Sequence, residues 1–192
     1  MAKRLIIGMS GASGAPLTIE LMKQLKSRHP EIETHLVMTR GAMLTLFSET
    51  DMTPDILAGY SSFFHANDEI GACIASGSFR TMGMIIIPCS MKTVAGIVSG
   101  YSDNLLLRAA DVCLKERRRL VLVARESPLS TIHLRNLYEA SQAGAVIMPP
   151  VPAYYQKPAS LEECTRTTAE RVLSQFGLDE SAYEWQGMHE HE

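Results

Sequence analysis

Two short segments of this sequence are built from the residue types that hold a phosphate. Ser10-Gly11-Ala12-Ser13-Gly14 packs small residues ahead of an amphipathic stretch, so backbone N–H groups and the hydroxyls of Ser10 and Ser13 can approach an anion at a positive helix terminus. Ser90-Met91-Lys92-Thr93 repeats the theme with two hydroxyls and an ammonium. One such turn is equally an ordinary strand-to-helix connection, but two point to a nucleotide or another phosphorylated ligand. The first is not the dinucleotide fingerprint. Gly8, Gly11 and Gly14 are spaced G-x-x-G-x-x-G, and Thr39-Arg40 stands where an NAD site needs a carboxylate. Arg40 leaves an NADP-dependent dehydrogenase as an alternative.

The charged groups are more ambiguous. Arg125-Glu126 follows an apolar run directly and reads equally as the rim of a site or as a turn. Arg108 and Lys115 share a helical face near Asp103 and Glu116, where a solvated charged face is the plainer reading. Arg171, with Glu163 and Glu170 as neighbours, reads as surface pairing. His133 reads as a structural histidine, Cys89 as a buried spectator thiol, and His189 and His191 as part of a solvated tail. No metal-ligand spacing is visible, so no metal is expected.

Most of these residues fall just after short aliphatic runs. Strands are predicted at 4–9, 33–38, 84–88, 120–124 and 145–148, mostly apolar throughout as strands buried on both faces are. Helices are predicted from 15 to about 29 and over 103–118, 131–143 and 160–176, with residues 41–82 less regular. The alternation implies an α/β fold, a three-layer Rossmann-like (flavodoxin-like) doubly wound parallel sheet in a single domain. Ligands of such sheets bind beyond the carboxyl ends of the strands, where these residues lie.

Composition narrows the classes further. The 192 residues suit one domain, over residues 1–192 with a polar tail from about 178. Eighteen basic against twenty-one acidic residues, a net charge of −3 with no basic block, exclude nucleic acid as the expected partner. No apolar run approaches the roughly 20 residues of a membrane helix, and Leu5 to Met9 reads as a buried strand rather than a secretory leader. Four cysteines without C-x-x-C pairing suggest a reducing, cytoplasmic setting. A mean hydropathy of +0.02 is high for a lone soluble domain, which points to a subunit interface or an apolar pocket.

Over nearly its whole length the sequence resembles the UbiX-type flavin prenyltransferases, formerly labelled aromatic acid decarboxylases. The resemblance is carried by GMSGASGAP at 8–16, ASGSFRT at 75–81, IPCSMKT at 87–93, the block at 103–136 and MPPVPAYYQKP at 148–158. It implies an FMN-binding subunit of a homo-oligomer, typically a dodecamer, with the flavin near subunit contacts. The implied reaction moves a dimethylallyl group from dimethylallyl phosphate to reduced FMN, closes a fourth ring and releases phosphate without a metal; the prenylated FMN then serves a separate decarboxylase. By the same resemblance Gly11, Ala12, Ser13, Thr39, Ser90, Met91, Lys92, Thr93 and Arg125 would contact FMN. Tyr155 and Arg171 would meet the substrate phosphate, with Arg108, Lys115, Arg125 and Glu126 completing its surroundings. Glu49 matches a carboxylate near the flavin, and Glu49, Glu126 or the released phosphate would manage protons. Tyr154, Tyr155 and Trp185 are the aromatic residues to compare with flavin and prenyl contacts. Thr39-Arg40-Gly41 departs from the Ser-Lys-Ala of many members but keeps the hydroxyl. Direct decarboxylation of an aromatic acid and a non-catalytic flavin carrier are the alternatives.

Overall fold

The computed structural model describes residues 3–178 together with Tyr183 and Gly187. In chain order the elements are β1 (Lys3–Met9), α1 (Ala15–Arg28), β2 (Ile32–Met38), α2 (Arg40–Glu49), α3 (Pro54–Ala58), β3 (Phe63–His65), β4 (Gly83–Cys89), α4 (Met91–Ser99), α5 (Leu105–Lys115), β5 (Arg119–Ala124), α6 (Thr131–Gln142), β6 (Val146–Ile147) and α7 (Leu161–Leu173). Short 3-10 turns lie at Cys73–Ala75, Tyr154–Gln156 and Ser174–Phe176.

The strands form one parallel sheet in the order β3-β2-β1-β4-β5-β6. All five predicted strands are present, and by themselves they run 2-1-3-4-5, the flavodoxin order. The unpredicted β3 adds an edge strand and makes the order 3-2-1-4-5-6. β3 escapes sequence patterning because it is three residues long and leaves Phe63 and Phe64 exposed while burying His65.

Alternation along the central strands divides the interior in two. Leu5, Ile7 and Met9 of β1, with Ile85 and Ile87 of β4, pack beneath α1, α2 and α7. Ile6, Met84 and Ile86 face the other way, against α4, α5 and Ala140 of α6. Every residue of β4 is buried, which explains its unbroken aliphatic run. The helices begin at polar caps: Thr39, Ser90, Asn104, Ser130 and Ser160 each accept a backbone N–H from the first turn. Two buried hydroxyls fix helices and loops to β4: Thr18 of α1 donates to the Ile87 carbonyl at 2.6 Å, and Ser10 to the Pro88 carbonyl at 3.2 Å.

Candidate active site

β1 and β4 are neighbours from which the chain winds in opposite directions, so their carboxyl ends frame the crevice of the sheet. Ser10 joins the two loops there, its hydroxyl accepting the Ser90 N–H at 2.8 Å while donating to Pro88. That hydroxyl is buried and spent on structure, which corrects the expectation that it reaches a phosphate. Gly11 lies against α2: a Cβ built on it would sit 2.9 Å from the Cα of Gly41, so backbone fills the space where a side chain would be.

A cleft of about 900 Å³ opens beside this contact, bordered by Gly11, Thr39, Arg40, Ser90, Lys92 and Thr93, with Asn104 and Leu107 among the residues opposite. The first turns of α2, α4 and α5 all border it, so three positive helix ends and the cations of Arg40 and Lys92 surround one space. Asp103, Glu139 and Arg135 line its outer part. Thr39 Oγ1 accepts the Ala42 N–H at 3.1 Å, and Ser90 Oγ lies 3.1 Å from Thr93 Oγ1. Volume and donor set fit a phosphorylated, planar ligand such as FMN. Met91 turns its side chain into the core and can serve the cleft through its backbone alone.

The start of α1 is organised differently. Glu49, the last residue of α2, accepts the Gly14 and Ala15 N–H groups at 2.9 and 2.8 Å. This carboxylate fills the positive end of α1, so the loop after β1 is not the phosphate cradle its composition suggests. Gly14 adopts φ +127°, a conformation L side chains rarely adopt, and this aims its amide at Glu49. Burial pushes the Glu49 carboxyl up, but hydrogen bonds from Ser13 and the two amides, with the Arg125 charge, outweigh it and hold it below the usual carboxylate range. Glu49, Ser13 and Arg125 line a second hollow of about 730 Å³, walled by Leu17, Pro150, Pro152 and Leu161. Through Thr168 it adjoins a third, of about 370 Å³, lined by Tyr155, Arg171, Met148 and Val151. Arg171 donates to Ser174 Oγ at 3.1 Å, and the Tyr155 ring centroid lies 5.8 Å from that of Tyr183.

Other expected residues are not brought to these hollows by the single chain. Lys115 ends α5 at the amino-terminal rim of the sheet, paired with Glu116 at 2.6 Å. Arg108 donates to the Ala75 carbonyl and pairs with Asp111 at 2.7 Å. Glu126 accepts the Ser127 N–H from an exposed turn. His133 forms a capping box with Ser130, a structural role as read, and burial pushes the Cys89 thiol far above its ordinary value. Trp185, His189 and His191 lie outside the described residues.

Sequence reasoning missed two features. Asn67 borders the first cleft and caps α5, accepting the Leu105 and Leu106 N–H groups, but it sits in a stretch without periodicity. His35, His65 and Cys73 converge on the flank of β2 and β3, and their separations of 30 and 8 residues match no compact motif. Burial lowers both imidazole pKa values, keeping the rings neutral at neutral pH.

The profile of the family described as Flavoprotein matches residues 1–167. The chain is 50% identical over 188 residues to the flavin prenyltransferase UbiX of Escherichia coli strain K12, covering 96% of this chain and 99% of that protein. The AnUbiX (PadA1) structure in complex with FMN and dimethylallyl pyrophosphate superposes with a TM-score of 0.94 at 47% identity, covering 98% of this chain and 100% of that one. A dodecameric FMN-dependent UbiX-like decarboxylase from Escherichia coli O157:H7 superposes at 0.93 and 50% identity, over 96% and 100% of the two chains. The likeness extends from the strand ends to α7, so the chain belongs to the flavoprotein family and, within it, to the UbiX-type flavin prenyltransferases.

Proposed function

We propose that this protein transfers a dimethylallyl group from dimethylallyl phosphate to reduced FMN, making prenylated FMN for a separate decarboxylase. One observation carries the reading: a cleft ringed by helix N-termini, a hollow holding Glu49 and Arg125, and a hollow holding Arg171 and Tyr155 follow one another along a single rim. That order suits two phosphorylated ligands meeting end to end, and the solved relative with FMN and dimethylallyl pyrophosphate supports it.

In this reading Ser90, Lys92, Thr93 and Thr39 would hold the FMN phosphate, the Met91 N–H would add a donor from the first turn of α4, and Gly11, Ala12, Ser13 and Arg125 would border the ring. When bound, reduced FMN supplies the nucleophile for the allylic carbon. Arg171, Tyr155 and Arg125 donate to the departing phosphate, and stabilising that charge is what eases the allylic C–O bond apart. Met148, Pro150, Pro152 and Leu161 form the apolar side of the wall that, once covered by a neighbouring subunit, would keep water from the allylic cation. Glu49, a carboxylate at neutral pH, accepts a proton during the second bond formation, with Glu126 or released phosphate in the same role as alternatives.

The protein acts as one FMN-binding domain over residues 1–192 within a homo-oligomer, in the dodecameric form of the Escherichia coli O157:H7 relative. Arg108 and Lys115, on the far side of the sheet from the hollows, then serve the phosphate site of an adjoining subunit. A cytoplasmic location fits four free cysteines and the lack, among the described residues, of a helix long and apolar enough to cross a membrane. Anaerobic incubation with reduced FMN and dimethylallyl phosphate gives a flavin heavier by one prenyl group; folded, FMN-loaded protein that yields no such product overturns the reading. The Escherichia coli O157:H7 relative's decarboxylase name favours a second reading, which requires carbon dioxide release from an aromatic acid by this protein alone.

A further inference from the structure

We infer that His35, His65 and Cys73 form a binding site for a divalent transition metal of the zinc type, on the flank of the sheet away from the prenyl-phosphate hollows. One nitrogen of each ring and the Cys73 sulfur lie within 4.8 Å of one another, and His35 Nδ1 is 2.9 Å from His65 Nε2. Nitrogen and thiolate ligands in threes or fours are the donor set of tetrahedral zinc.

The outer faces of the rings supply the second argument. His35 Nε2 lies 3.0 Å from Glu33 Oε1, and the same oxygen is gripped by Arg4 Nε at 2.7 Å. A carboxylate so held accepts the Nε2 proton, which leaves the His35 Nδ1 lone pair aimed inward. Without a metal, His65 donates its Nε2–H to that lone pair, and its unprotonated Nδ1 then faces the half-exposed Glu69 carboxylate at 3.9 Å with no hydrogen bond between them. A metal ion lets His65 take the Nδ1–H form, which presents a donor toward Glu69 and frees both inner lone pairs as ligands. Each ring then has a carboxylate behind it, the outer arrangement that metal-bound histidines recurrently show.

The geometry needs little change. Tetrahedral zinc sets nitrogen–nitrogen and nitrogen–sulfur separations of about 3.3 and 3.5 Å, so the inner nitrogens part by roughly 0.4 Å and the sulfur closes by about 1.3 Å at most. Cys73 is exposed at the start of a 3-10 turn, where a side-chain rotation accomplishes this. The rings are already parallel within 6°, with Phe63 stacked on His35 and Phe79 edge-on to it. Water fills the fourth position. Such an ion ties β2, the edge strand β3 and the Cys73–Ala75 turn together, two residues from the Asn67 that caps α5.

The test uses the full-length protein, metal-stripped, reduced and anaerobic, titrated with cobalt(II) chloride. Expected are one cobalt per chain, visible bands of tetrahedral cobalt and a near-ultraviolet thiolate-to-cobalt band, all bleached by zinc. Zinc at about a hundredfold excess over its Kd raises the thermal midpoint by roughly 5–10 °C. Cys73→Ser, on the surface and compatible with folding, removes the thiolate band and weakens binding at least tenfold; His65→Gln weakens it similarly with an unchanged far-ultraviolet spectrum. A His189→Ala/His191→Ala protein, which removes the histidines of the tail, retains both the band and the affinity. Absence of stoichiometric cobalt uptake at micromolar protein, uptake without a thiolate band, or a band that survives Cys73→Ser would overturn the assignment.

Discussion

Replacing Glu49 by glutamine removes a charge while keeping an oxygen able to accept from Gly14 and Ala15, which isolates what the charge contributes at the start of α1. Hydrogen bonds to a charged group contribute about 1.5–3 kcal/mol against about 0.5–1.5 for neutral pairs. An anion at a helix N-terminus adds about 0.3–1 kcal/mol. Glu49 is exposed, so solvent screening discounts both, and a loss of about 1–2 kcal/mol is expected at pH 7. For a domain of this size that is a fall of roughly 2–8 °C in Tm. The pH dependence tests the cause. The folded pKa of Glu49 is depressed, so its contribution is fully present above the ordinary glutamate value of about 4.3 and is lost as pH falls through the lower folded value. Urea unfolding of both proteins from pH 7 down to pH 3 should therefore show a constant gap that closes at the acid end. Equal stability at pH 7, or a gap that widens on acidification, would refute a charged cap.

Arg171→Ala should retain FMN but bind dimethylallyl phosphate roughly 10–100-fold more weakly in a calorimetric titration, the loss of one charge-assisted contact; unchanged affinity would place the phosphate elsewhere. Glu170 is 4% exposed and accepts from Arg28 and Arg166, so Glu170→Ala removes the buried carboxylate that the two guanidinium groups share between α1 and α7, while Arg166 keeps Glu163. Because both guanidinium groups are partly exposed and can rehydrate, a cost of about 1.5–3 kcal/mol in urea unfolding is expected. Lys115→Ala and Arg171→Ala subunits, assayed at a dimethylallyl phosphate concentration too low for either to turn over appreciably alone, should regain roughly a quarter of wild-type prenyl transfer when refolded as an equal mixture if each site draws on two chains. Recovery of none would confine the site to one chain.

The sheet was legible because buried parallel strands announce themselves: Ile85 to Ile87 and Leu120 to Val123 have no polar interruption, and hydroxyl or amide caps mark the helix starts. The rim was legible for the same reason, since each predicted strand end locates a site loop. What composition could not show is who uses a given donor. Ser10, Ser13 and Gly14 read as anion ligands, but Ser10 binds Pro88 and Ser90, and the Gly14 amide binds Glu49, a residue 35 positions away. Position relative to the sheet was equally hidden: Arg108 and Lys115 share a helix with the cleft-lining Leu107, but α5 runs back along the sheet and carries Lys115 to the opposite rim. β3 and the histidine pair were invisible because a three-residue edge strand has no period to detect.

The residues on the prenyl side of the rim give the proposed oligomer a physical reason. Val151, Tyr154 and Leu161 are 72%, 79% and 77% exposed, and they flank the hollows that hold Tyr155, Arg171 and Arg125. An allylic cation formed there in a lone chain would meet water before it met the flavin, and the phosphate beside it would be stabilised by donors working in a high dielectric. A neighbouring subunit laid over these residues supplies the missing wall, buries apolar surface the isolated chain leaves in water, and lowers the local dielectric in which Arg125 and Arg171 act. The apolar surplus of the sequence and the openness of the site are thus one requirement, which the proposed assembly would meet.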